Sequence, residues 1–390
     1  MSAINTLFLL PQLDRGGSEN LVFNLGKMMD HGRFCPSLAV FGFPQCEEFI
    51  EDFEKNRIKV FKIPKTASID FGLMRKLSRI VADRKVQVIN AHHFVSMVYA
   101  FYGTKRNKQA GLIYTEHSRW EIERIPLKWR IAGSYLLHQV DGIIAVSAEV
   151  AEAIERKFLV NKAKITIIRN GVDLDRFSRQ YNREELRREF GLKPNDLVIG
   201  MVANFRKIKN HIFLLRAFKP LINENAGVKL MFVGKGMKDD PESSEGEIRG
   251  FVRDHSMSEN VMFMGSRADI PELLAVMDVF CLISLNEGLP ISLIEAMAAG
   301  LPVIGSDVDG IRGIVKQGVN GILVGPSDEA SLREALRSLL LNEKMRATFG
   351  HHSREIADKL YSLERCVRQY QDLFLRVSNK KRGCAQENYA

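Results

Sequence analysis

The sequence is poor in the residues that build disulfide frameworks, metal centres and membrane spans. Only five cysteines occur among 390 residues, they are scattered, and no pair has the C-x-x-C spacing of a zinc or redox site. No run of about 18 uncharged apolar residues is present, which excludes a predicted transmembrane helix. The N-terminal apolar run lacks a basic segment and stops at Pro11, so it predicts a buried strand and not a signal peptide. These absences favour a protein of the reducing cytoplasm.

Basic charge is in excess, but only in the first half of the chain. The sequence carries 56 Lys and Arg against 47 Asp and Glu, a net charge of +9 with neutral His. Residues 1–190 hold 30 basic and 22 acidic side chains, whereas residues 191–390 hold 26 and 25. The hydrophobic fraction of 45% excludes a disordered chain, and the length suggests two domains of about 100–200 residues each. The uneven charge predicts an anionic partner or surface near the first domain.

Short apolar runs alternate with helical patterns along the whole chain. Unalternated runs rich in Val and Ile are typical of strands buried on both faces, and their alternation with helices predicts parallel α/β sheets. The thirteen predicted strands are Thr6–Leu10, Ser37–Phe41, Lys59–Ile63, Val86–Asn90, Gly111–Thr115, Gly142–Val146, Lys164–Ile168, Leu197–Val202, Lys229–Val233, Val261–Phe263, Val279–Ile283, Pro302–Gly305 and Gly321–Val324. The charge-dense segment Arg179–Asp196 predicts a domain boundary. We expect a first domain at residues 1–190, a second at 191–364, and a C-terminal helix at about 365–380 that packs back on the first.

The most informative stretch, Ser284–Gly300, joins a buried strand, a tight turn and a helix. Glu287 lies just before the turn, and Glu295 lies eight positions later in the first turns of the helix. Free N–H groups at a helix start attract phosphate, and Gly288 allows a ligand to approach the backbone. Carboxylates on either side of that phosphate could accept hydrogen bonds from sugar hydroxyls. Glutamates eight apart also occur by chance as solvated residues, but the flanking Gly-Leu-Pro and Ala-Ala-Gly segments favour a nucleotide-sugar site.

This stretch also resembles a known family. Glu287-Gly-Leu-Pro-Ile-Ser-Leu-Ile-Glu295 is similar to the E-x7-E signature of the family-four retaining glycosyltransferases. Other parts follow in family order: Asn170-Gly-Val-Asp173, Val233-Gly-Lys-Gly236, Gly265-Ser-Arg-Ala-Asp269 and Gly318-Val-Asn-Gly-Ile-Leu-Val324. The resemblance covers most of the chain. It implies the GT-B fold, with two Rossmann-like parallel-sheet domains facing across a cleft, the first on the acceptor side and the second binding the donor.

The resemblance extends to individual donor-binding residues of the second domain. Arg206 and Lys209 match the family's cations for the donor diphosphate, although Lys207 is a competing lysine. Glu287 matches the acid that contacts the donor hexose, and Glu295 matches the acid that binds ribose hydroxyls. Arg267 occupies the region beside the nucleotide base. The turn that would face sugar and phosphate consists of Gly288, Leu289, Pro290 and Ile291, of which Pro290 has no N–H to offer.

In the first domain, the segment after the opening strand resembles the family's Gly-Gly turn. Gly16 and Gly17 would let the donor phosphates and the acceptor approach this turn, whose sequence is not the dinucleotide fingerprint G-x-G-x-x-G. A plain helix N-terminus is the alternative reading. His117 follows a strand and matches the family's histidine close to the transferred sugar. Either His92 or His93, which also end a strand, could face the acceptor.

The implied chemistry is transfer of a hexose from a nucleoside-diphosphate sugar to a hydroxyl, with retention of configuration. Arg206, Lys209 and a helix dipole would stabilise the departing diphosphate. No second carboxylate suits a covalent intermediate, so Glu287 is predicted to orient the sugar during attack from the same face. The donor stretch has no Asp-x-Asp, so we expect no metal ion or other cofactor to be required. A UDP-sugar is the expected donor, with guanosine and adenosine nucleotides left open.

The acceptor is expected to be a glycan or a lipid-linked glycan in polysaccharide, lipopolysaccharide or capsule biosynthesis. The segment Arg119–Arg130 interleaves both tryptophans of the chain with basic and apolar residues. This mixture suits a membrane interface, and it is equally typical of a partly buried helix with a solvated face. We expect a cytoplasmic protein, peripheral on the cytoplasmic face of the membrane, with loose electrostatic attraction to anionic lipid.

Three other functions fit parts of the sequence. A sugar-nucleotide epimerase could share the fold and would need no acceptor. A nucleic-acid-binding protein would explain the basic charge, but no RNA- or DNA-binding motif accompanies it, so we expect no nucleic-acid partner. A catalytically idle, regulatory relative is disfavoured because the predicted donor-site residues Glu287, Glu295, Arg206 and Lys209 are all present.

Overall fold

The computed structural model describes residues 3–14, 16–42, 46–104, 110–177, 179, 181–236 and 240–387. The chain divides into two compact units. Unit 1 comprises Met1–Gly171 and Leu363–Ala390, and unit 2 comprises Val172–Ser362. Each unit contains one parallel β-sheet with helices in the connections, which confirms the predicted α/β class. Each predicted strand overlaps an observed one.

Within its described residues, unit 1 has a seven-stranded sheet in the order β3-β2-β1-β4-β5-β6-β7. Its strands are β1 Ile4–Leu10, β2 Phe34–Val40, β3 Lys59–Lys62, β4 Val88–His92, β5 Gly111–Glu116, β6 Gly142–Ala145 and β7 Ile165–Ile167. β1 pairs with both β2 and β4, so the direction in which the sheet grows reverses there. Ligands of parallel sheets bind beside such a reversal, at the carboxyl ends of the strands. The ends of β1, β4 and β5 therefore position the predicted residues of unit 1.

Three helices of unit 1 begin after a residue whose side chain accepts a hydrogen bond from one of their free N–H groups. The Asp70 carboxylate accepts the Leu73 N–H at 2.9 Å, and Ser118 and Ser147 cap two later helices in the same way. The helices that precede unit 2 are α1 Gly17–Met28, α2 Glu47–Lys55, α3 Phe71–Asp83, α4 Phe94–Thr104, α5 Arg119–Arg124, α6 Leu127–Gln139 and α7 Ala148–Phe158.

Unit 2 has a six-stranded sheet in the order β10-β9-β8-β11-β12-β13, within its described residues. Its strands are β8 Leu197–Val202, β9 Val228–Val233, β10 Val261–Gly265, β11 Val279–Leu282, β12 Val303–Ser306 and β13 Gly321–Val324. Its helices are α8 Leu174–Phe177, α9 Arg183–Glu189, α10 His211–Glu224, α11 Glu245–Asp254, α12 Ile270–Val276, α13 Ile291–Ala298, α14 Asp309–Arg312, α15 Glu329–Leu341 and α16 Glu343–Leu360. The reversal lies between β8 and β11, so the loops after these strands are neighbours.

The division of the chain differs from the predicted boundary at residues 190/191. Residues 172–190, assigned to the first domain from the sequence, belong to unit 2. Long-range contacts of α9 explain the difference. The Arg183 guanidinium lies 2.6 Å from the Asp278 carboxylate, and Arg187 donates to the Val276 carbonyl at 3.1 Å. A charge-dense segment that resembles a linker is thus held to the sheet it precedes.

The last helix, α17, spans Leu363–Glu387 and belongs to unit 1. It extends seven residues beyond the predicted end at about residue 380. Its buried side chains, among them Tyr370 and Phe374, join the core formed by Phe8, Val88 and Ile113. No helix among the described residues combines the length and the hydropathy that crossing a bilayer requires.

Candidate functional site

In unit 2, the predicted E-x7-E residues lie on the loop between β11 and α13, which carries Glu287, and on α13 itself, which carries Glu295. β11 consists of four buried residues, and α13 begins after Pro290, whose φ of −73° already suits a helix start. Gly310 of α14 packs under the loop. A Cβ at this glycine would lie 2.4 Å from the Gly288 carbonyl and 2.5 Å from that of Glu287, so only glycine fits there. The backbone of the loop at Glu287 and Gly288 is therefore in close contact with α14.

Glu287 and Lys209 form an ion pair that is largely buried. Lys209 Nζ lies 2.5 Å from Glu287 Oε1, and their side chains are 22% and 10% exposed. Ser284 Oγ donates to the same carboxylate oxygen at 2.6 Å. The two loops are also joined through the backbone, since the Leu285 N–H donates to the Ile208 carbonyl at 2.8 Å. Of the two candidate lysines, Lys209 contacts Glu287, and Lys207 is exposed.

Arg206 lies on the same loop but has a different partner. Its Nε atom lies 2.8 Å from Asp240 Oδ2, and the side chain is partly exposed. The loop is fixed by backbone bonds on both sides, because the Phe205 N–H donates to the Lys235 carbonyl and the Lys207 N–H to that of Glu242. The guanidinium is therefore balanced by an aspartate, while Lys209 is balanced by the catalytic candidate Glu287.

Glu295 is half-buried in the second turn of α13, and its carboxylate has no hydrogen-bond partner among the described residues. Burial raises its pKa to about 7, and the positive charge of Arg176 on α8 only partly offsets this. A carboxylate in this position is stabilised most by a ligand that donates hydrogen bonds to it, since no donor of the protein does so. This property fits the ribose-binding role that the resemblance implies.

The remaining predicted donor residues of unit 2 lie around the same sheet edge. Arg267 follows β10 and pairs with Asp269, with 2.7 Å between Nε and Oδ1, and its guanidinium lies 5.8 Å from the ring centre of Phe190. The first N–H groups of α13, beginning at Ile291, have no carbonyl partner within the helix. They supply the positive end of the helix dipole beside Glu287.

In unit 1, the first turn of α1 is joined to the end of β4. α1 begins at Gly17, with Gly16 as the residue before it. Ser18 Oγ donates to Glu19 Oε2 at 2.7 Å and lies 3.1 Å from His93 Nε2. Glu19 is buried, and burial raises its pKa. The Gly-Gly turn is therefore followed by two side chains that connect it to the histidine cluster.

His93 is the centre of this cluster. It follows β4 with a φ of +68°, and its Nδ1 atom lies 2.9 Å from Glu121 and 4.0 Å from Glu116. Burial alone would lower the pKa of His93, but Glu121, Glu116 and Glu19 together raise it to about 9. The imidazole is therefore charged at neutral pH, and its two N–H groups donate to Glu121 and Ser18.

His117 and His92 form a second, uncharged pair beside it. His92 Nδ1 lies 2.9 Å from His117 Nε2, and the rings stack with centres 5.1 Å apart. Burial, and then the charge of His93, lower the pKa of both residues. His92 Nε2 is buried without a partner among the described residues, so a proton there would leave an unpaired donor. The geometry favours a proton on His92 Nδ1 that is donated to His117, whose own proton is then on Nδ1.

Several members of this cluster were missed by the sequence analysis. Glu116 is fully buried and accepts the N–H groups of His117 and Ser118 at 2.7 and 3.1 Å, as well as the hydroxyl of Tyr114. Glu121 lies four residues after His117 and was an ordinary helix residue in the sequence. Each of His93, Glu116 and Glu121 has a metal-ligating atom, and these atoms lie within 4.8 Å of one another, but His93 Nδ1 already donates its proton to Glu121 at 2.9 Å. The signal in the sequence was a single acidic residue, Glu116, beside His117 at a strand end.

Two family models match the chain in succession. Residues 15–176 match the model described as Glycosyltransferase Family 4, and residues 182–356 match the one described as Glycosyl transferases group 1. The first match lies almost wholly in unit 1 and the second lies in unit 2. The second match contains the Lys209–Glu287 pair and Glu295.

Characterised relatives align with most of the chain. It is 30% identical over 292 residues to the UDP-Gal:alpha-D-GlcNAc-diphosphoundecaprenol alpha-1,3-galactosyltransferase of Escherichia coli, covering 72% of this chain and 69% of the relative. It is 25% identical over 333 residues to the N-acetyl-alpha-D-glucosaminyl L-malate synthase of Bacillus anthracis, covering 84% of each.

Solved structures of similar fold cover nearly the full length. A glycosyltransferase from Rickettsia africae has a TM-score of 0.85 at 17% identity, covering 97% of this chain and 99% of the other. Anabaena HepE in complex with UDP and glucose has a TM-score of 0.82 at 21% identity, covering 95% and 98%. At these identities the likeness concerns the fold alone, which is GT-B.

Proposed function

This chain belongs to the family-four glycosyltransferases with the GT-B fold, and we propose that it transfers a hexose from a nucleoside-diphosphate sugar to a hydroxyl with retention of the anomeric configuration. The observation that carries the proposal is the buried Lys209–Glu287 pair beside the start of α13. It combines a cation for a leaving diphosphate with a carboxylate for a sugar, at the carboxyl edge of a parallel sheet.

The leaving diphosphate is the group whose charge must be stabilised. Lys209 and Arg206 supply two cations on one loop, and the free N–H groups of α13 supply a helix N-terminus. These groups are held in place before a ligand binds, since backbone bonds fix the loop and Gly310 supports the turn. Preorganised charges of this kind need little rearrangement as the bond to the sugar breaks. The proposal therefore assigns the positive charge to the protein and requires no metal ion or other cofactor.

Glu287 is assigned an orienting role. One of its oxygens already accepts from Lys209 and Ser284, so the position of the carboxylate is fixed. The acceptor hydroxyl would attack from the face that the diphosphate leaves, and Glu287 would stabilise the positive charge that develops on the sugar. Glu295 would bind the ribose hydroxyls, and Arg267 would lie beside the base.

The residues of unit 1 are assigned to the sugar and the acceptor. His117 offers an N–H on Nδ1, because its Nε2 atom is occupied by His92. Gly16 and Gly17, at the start of α1, are assigned to the approach of the donor phosphates and the acceptor. UDP is the proposed nucleotide, since the E. coli relative is named for UDP-Gal and the HepE structure contains UDP.

A glycan or lipid-linked glycan is the proposed acceptor. The E. coli relative is named for a sugar on diphosphoundecaprenol, which is a lipid-linked acceptor, and polysaccharide assembly is the proposed setting. The proposed location is the cytoplasmic face of a membrane.

The test is a panel of nucleotide sugars with release of the diphosphate as readout, followed by analysis of the product's anomeric configuration by NMR. Lys209→Met should weaken donor binding about tenfold, whereas Lys207→Met, the same change at an exposed neighbour, should alter it less than about twofold. Equal losses of donor affinity in the two variants would contradict the assignment of Lys209 to the donor. Conversion of donor alone to an epimer would identify an epimerase, and inversion of the anomeric centre would reject retention.

A further inference from the structure

The two consecutive histidines at the end of β4 lie in different environments. His92 is the last residue of the strand and is fully buried, with its ring centre 6.1 Å from that of Phe8. His93 adopts a left-handed backbone conformation, with a φ of +68°, and its side chain reaches Ser18 and Glu121 instead. Burial of an imidazole costs desolvation free energy that a phenyl ring would avoid, which indicates that the polar atoms of His92 have a use.

The ring of His92 makes its hydrogen bond to His117. Nδ1 of His92 lies 2.9 Å from Nε2 of His117, and the planes of the two rings differ by 18°. In a bond between two neutral imidazoles, the N–H of one ring faces the lone pair of the other. If His117 donated, the proton of His92 would be on Nε2, which is buried and has no partner among the described residues. His92 is therefore the donor, because the alternative leaves an unpaired buried N–H.

His117, unlike His92, is accessible to a ligand. Its side chain is half-buried, and its Nδ1 atom makes no hydrogen bond within the part of the chain that the structure describes. Its backbone is fixed, since its N–H donates to Glu116 Oε1 at 2.7 Å and Ser118 caps the helix that follows. Because Nε2 accepts from His92, the proton of His117 is on Nδ1. The ring thus presents an N–H donor in one orientation.

The charge of His93 keeps the other two histidines neutral. Its Nδ1 atom lies 2.9 Å from Glu121 and 4.0 Å from Glu116, so these carboxylates hold its proton. The ring centres of His93 and His117 are 5.0 Å apart. A further proton on His117 would therefore place two cations side by side in partly buried surroundings. The donor at His117 is an imidazole and not an imidazolium, and its tautomer depends on the bond from His92.

We propose that His92 is a positioning residue, which acts through His117 by fixing its tautomer and the rotation of its ring. The inference rests on the proposed function, in which His117 lies close to the transferred sugar. A hydrogen bond to an oxygen of the donor is most effective when the N–H already has the right direction before the ligand binds. The other tautomer of His117 would turn a lone pair toward that oxygen.

Two substitutions of His92 separate positioning from packing. His92→Asn keeps an N–H at the position of Nδ1 but leaves part of the space of the ring empty, whereas His92→Phe fills the space and cannot donate. We expect kcat to fall about tenfold or more in His92→Phe and less than about threefold in His92→Asn. KM for the donor should change little in either, since the proposed nucleotide contacts lie in unit 2. A packing role predicts the reverse order of the two variants.

The tautomer of His117 is measured without substrate, by long-range proton–nitrogen NMR of the full chain with 15N-labelled histidine. Such spectra distinguish protonated from bare ring nitrogens, and His117→Gln assigns the signals among the nine histidines. We expect the proton on Nδ1 in the unaltered chain and in His92→Asn, and a shift of population toward Nε2 in His92→Phe. His138→Phe, the same change at an exposed histidine of unit 1, should alter neither the tautomer nor the kinetics. The thermal unfolding midpoint shows that each variant is folded.

The proposal is overturned if His117 carries its proton on Nε2 in the unaltered chain, or if His92→Phe leaves the tautomer unchanged. It is also overturned if His92→Phe shifts the tautomer but retains kcat, or if His92→Asn loses as much activity as His92→Phe. An unaltered chain that transfers sugar from no nucleotide donor would reject the proposed function, whereas the NMR spectra would still decide whether His92 sets the tautomer of His117.

Discussion

The two units balance their buried carboxylates with different kinds of cation. In unit 2, Glu287 is paired with the ammonium group of Lys209. In unit 1, Glu116 and Glu121 are paired with His93, whose charge is lost above a pKa of about 9. Glu295 of unit 2 has no hydrogen-bonded cation, and the charge of Arg176 offsets the effect of burial on its pKa only in part. The donor-binding candidates thus include one lysine–carboxylate ion pair and one carboxylate without a hydrogen-bond partner among the described residues. In the histidine cluster of unit 1, the pairing of the carboxylates depends on the proton that charges His93.

The two units also differ in net charge. Unit 1 carries an excess of 11 positive charges, and unit 2, with 25 Lys and Arg against 27 Asp and Glu, an excess of two negative ones. The contrast is sharper than the sequence halves suggested, because residues 172–190 belong to unit 2 and the basic C-terminal helix to unit 1. The cations of unit 2 are outnumbered by its acidic side chains, whereas those of unit 1 are in excess.

The largest effect should come from Glu287→Gln. The amide keeps the shape of the carboxylate but removes the charge that faces Lys209 and the proposed sugar. We expect kcat to fall about 100-fold or more, since the charge acts on the transition state. Steady-state kinetics with the accepted donor measure the change, and Glu259→Gln, at an exposed position of unit 2, is the matched control. A kcat within about threefold of the unaltered enzyme would show that the Lys209–Glu287 pair is structural only.

His93→Gln should remove a pH-dependent part of the stability of unit 1. The pKa of His93 is raised from 6.5 to about 9 in the folded chain, so its stabilising contribution is complete below about pH 6.5 and gone above about pH 9. Over this range the unaltered chain should lose about 2–3 kcal/mol of unfolding free energy more than the variant, with some allowance for solvent screening.

Urea unfolding at a series of pH values provides the measurement for His93, and His31→Gln, an exposed histidine of unit 1, serves as the control. Parallel pH profiles for the unaltered chain and His93→Gln would mean that the carboxylates do not hold His93 in its charged form. The contrast between Lys209 and His93, as the cations that pair with the carboxylates of the two units, would then be lost.

The strands could be predicted from the sequence, because a strand buried on both faces must be apolar over its whole length. The E-x7-E segment was also evident, since its glycines and prolines mark a tight turn whatever surrounds it. The structure divides the chain at residues 171/172 and not at the predicted 190/191, because α9 is attached to unit 2 through Arg183 and Asp278, 95 residues apart in the chain. Contacts between residues so far apart in the chain leave no local pattern in the sequence.

The cluster around His93 was only partly visible for the same reason. His92, His93 and His117 were noticed at strand ends, but their surroundings include Ser18, Glu19, Glu116 and Glu121, which come from three separate segments of the chain. The pairing of Lys209 with Glu287 likewise joins loops 78 residues apart. Sequence therefore predicts which side chains reach the sheet edge, and the fold decides which of them share a proton or a charge.

The smallest effect, and the one that separates function from stability, should come from Glu295→Gln. Burial raises the pKa of Glu295 from 4.5 to about 7, so the ionised carboxylate destabilises the free protein above that pH. The variant should be more stable than the unaltered chain by about 1–3 kcal/mol at pH 8, and the difference should vanish below about pH 4.5. Donor affinity should fall several-fold at pH 8, since the ionised carboxylate is the better acceptor for ribose hydroxyls.

Urea unfolding and donor titration by calorimetry, each at both pH values, measure the two effects of Glu295→Gln, and Glu259→Gln should show neither. A gain in stability without a loss of donor affinity would separate Glu295 from the nucleotide. A loss of both would mean that the carboxylate has a stabilising partner in the folded protein. Only a gain in stability together with a loss of donor affinity identifies Glu295 as a carboxylate whose hydrogen-bonding capacity is kept for the ligand. This feature distinguishes Glu295 from Glu287 and from the carboxylates around His93.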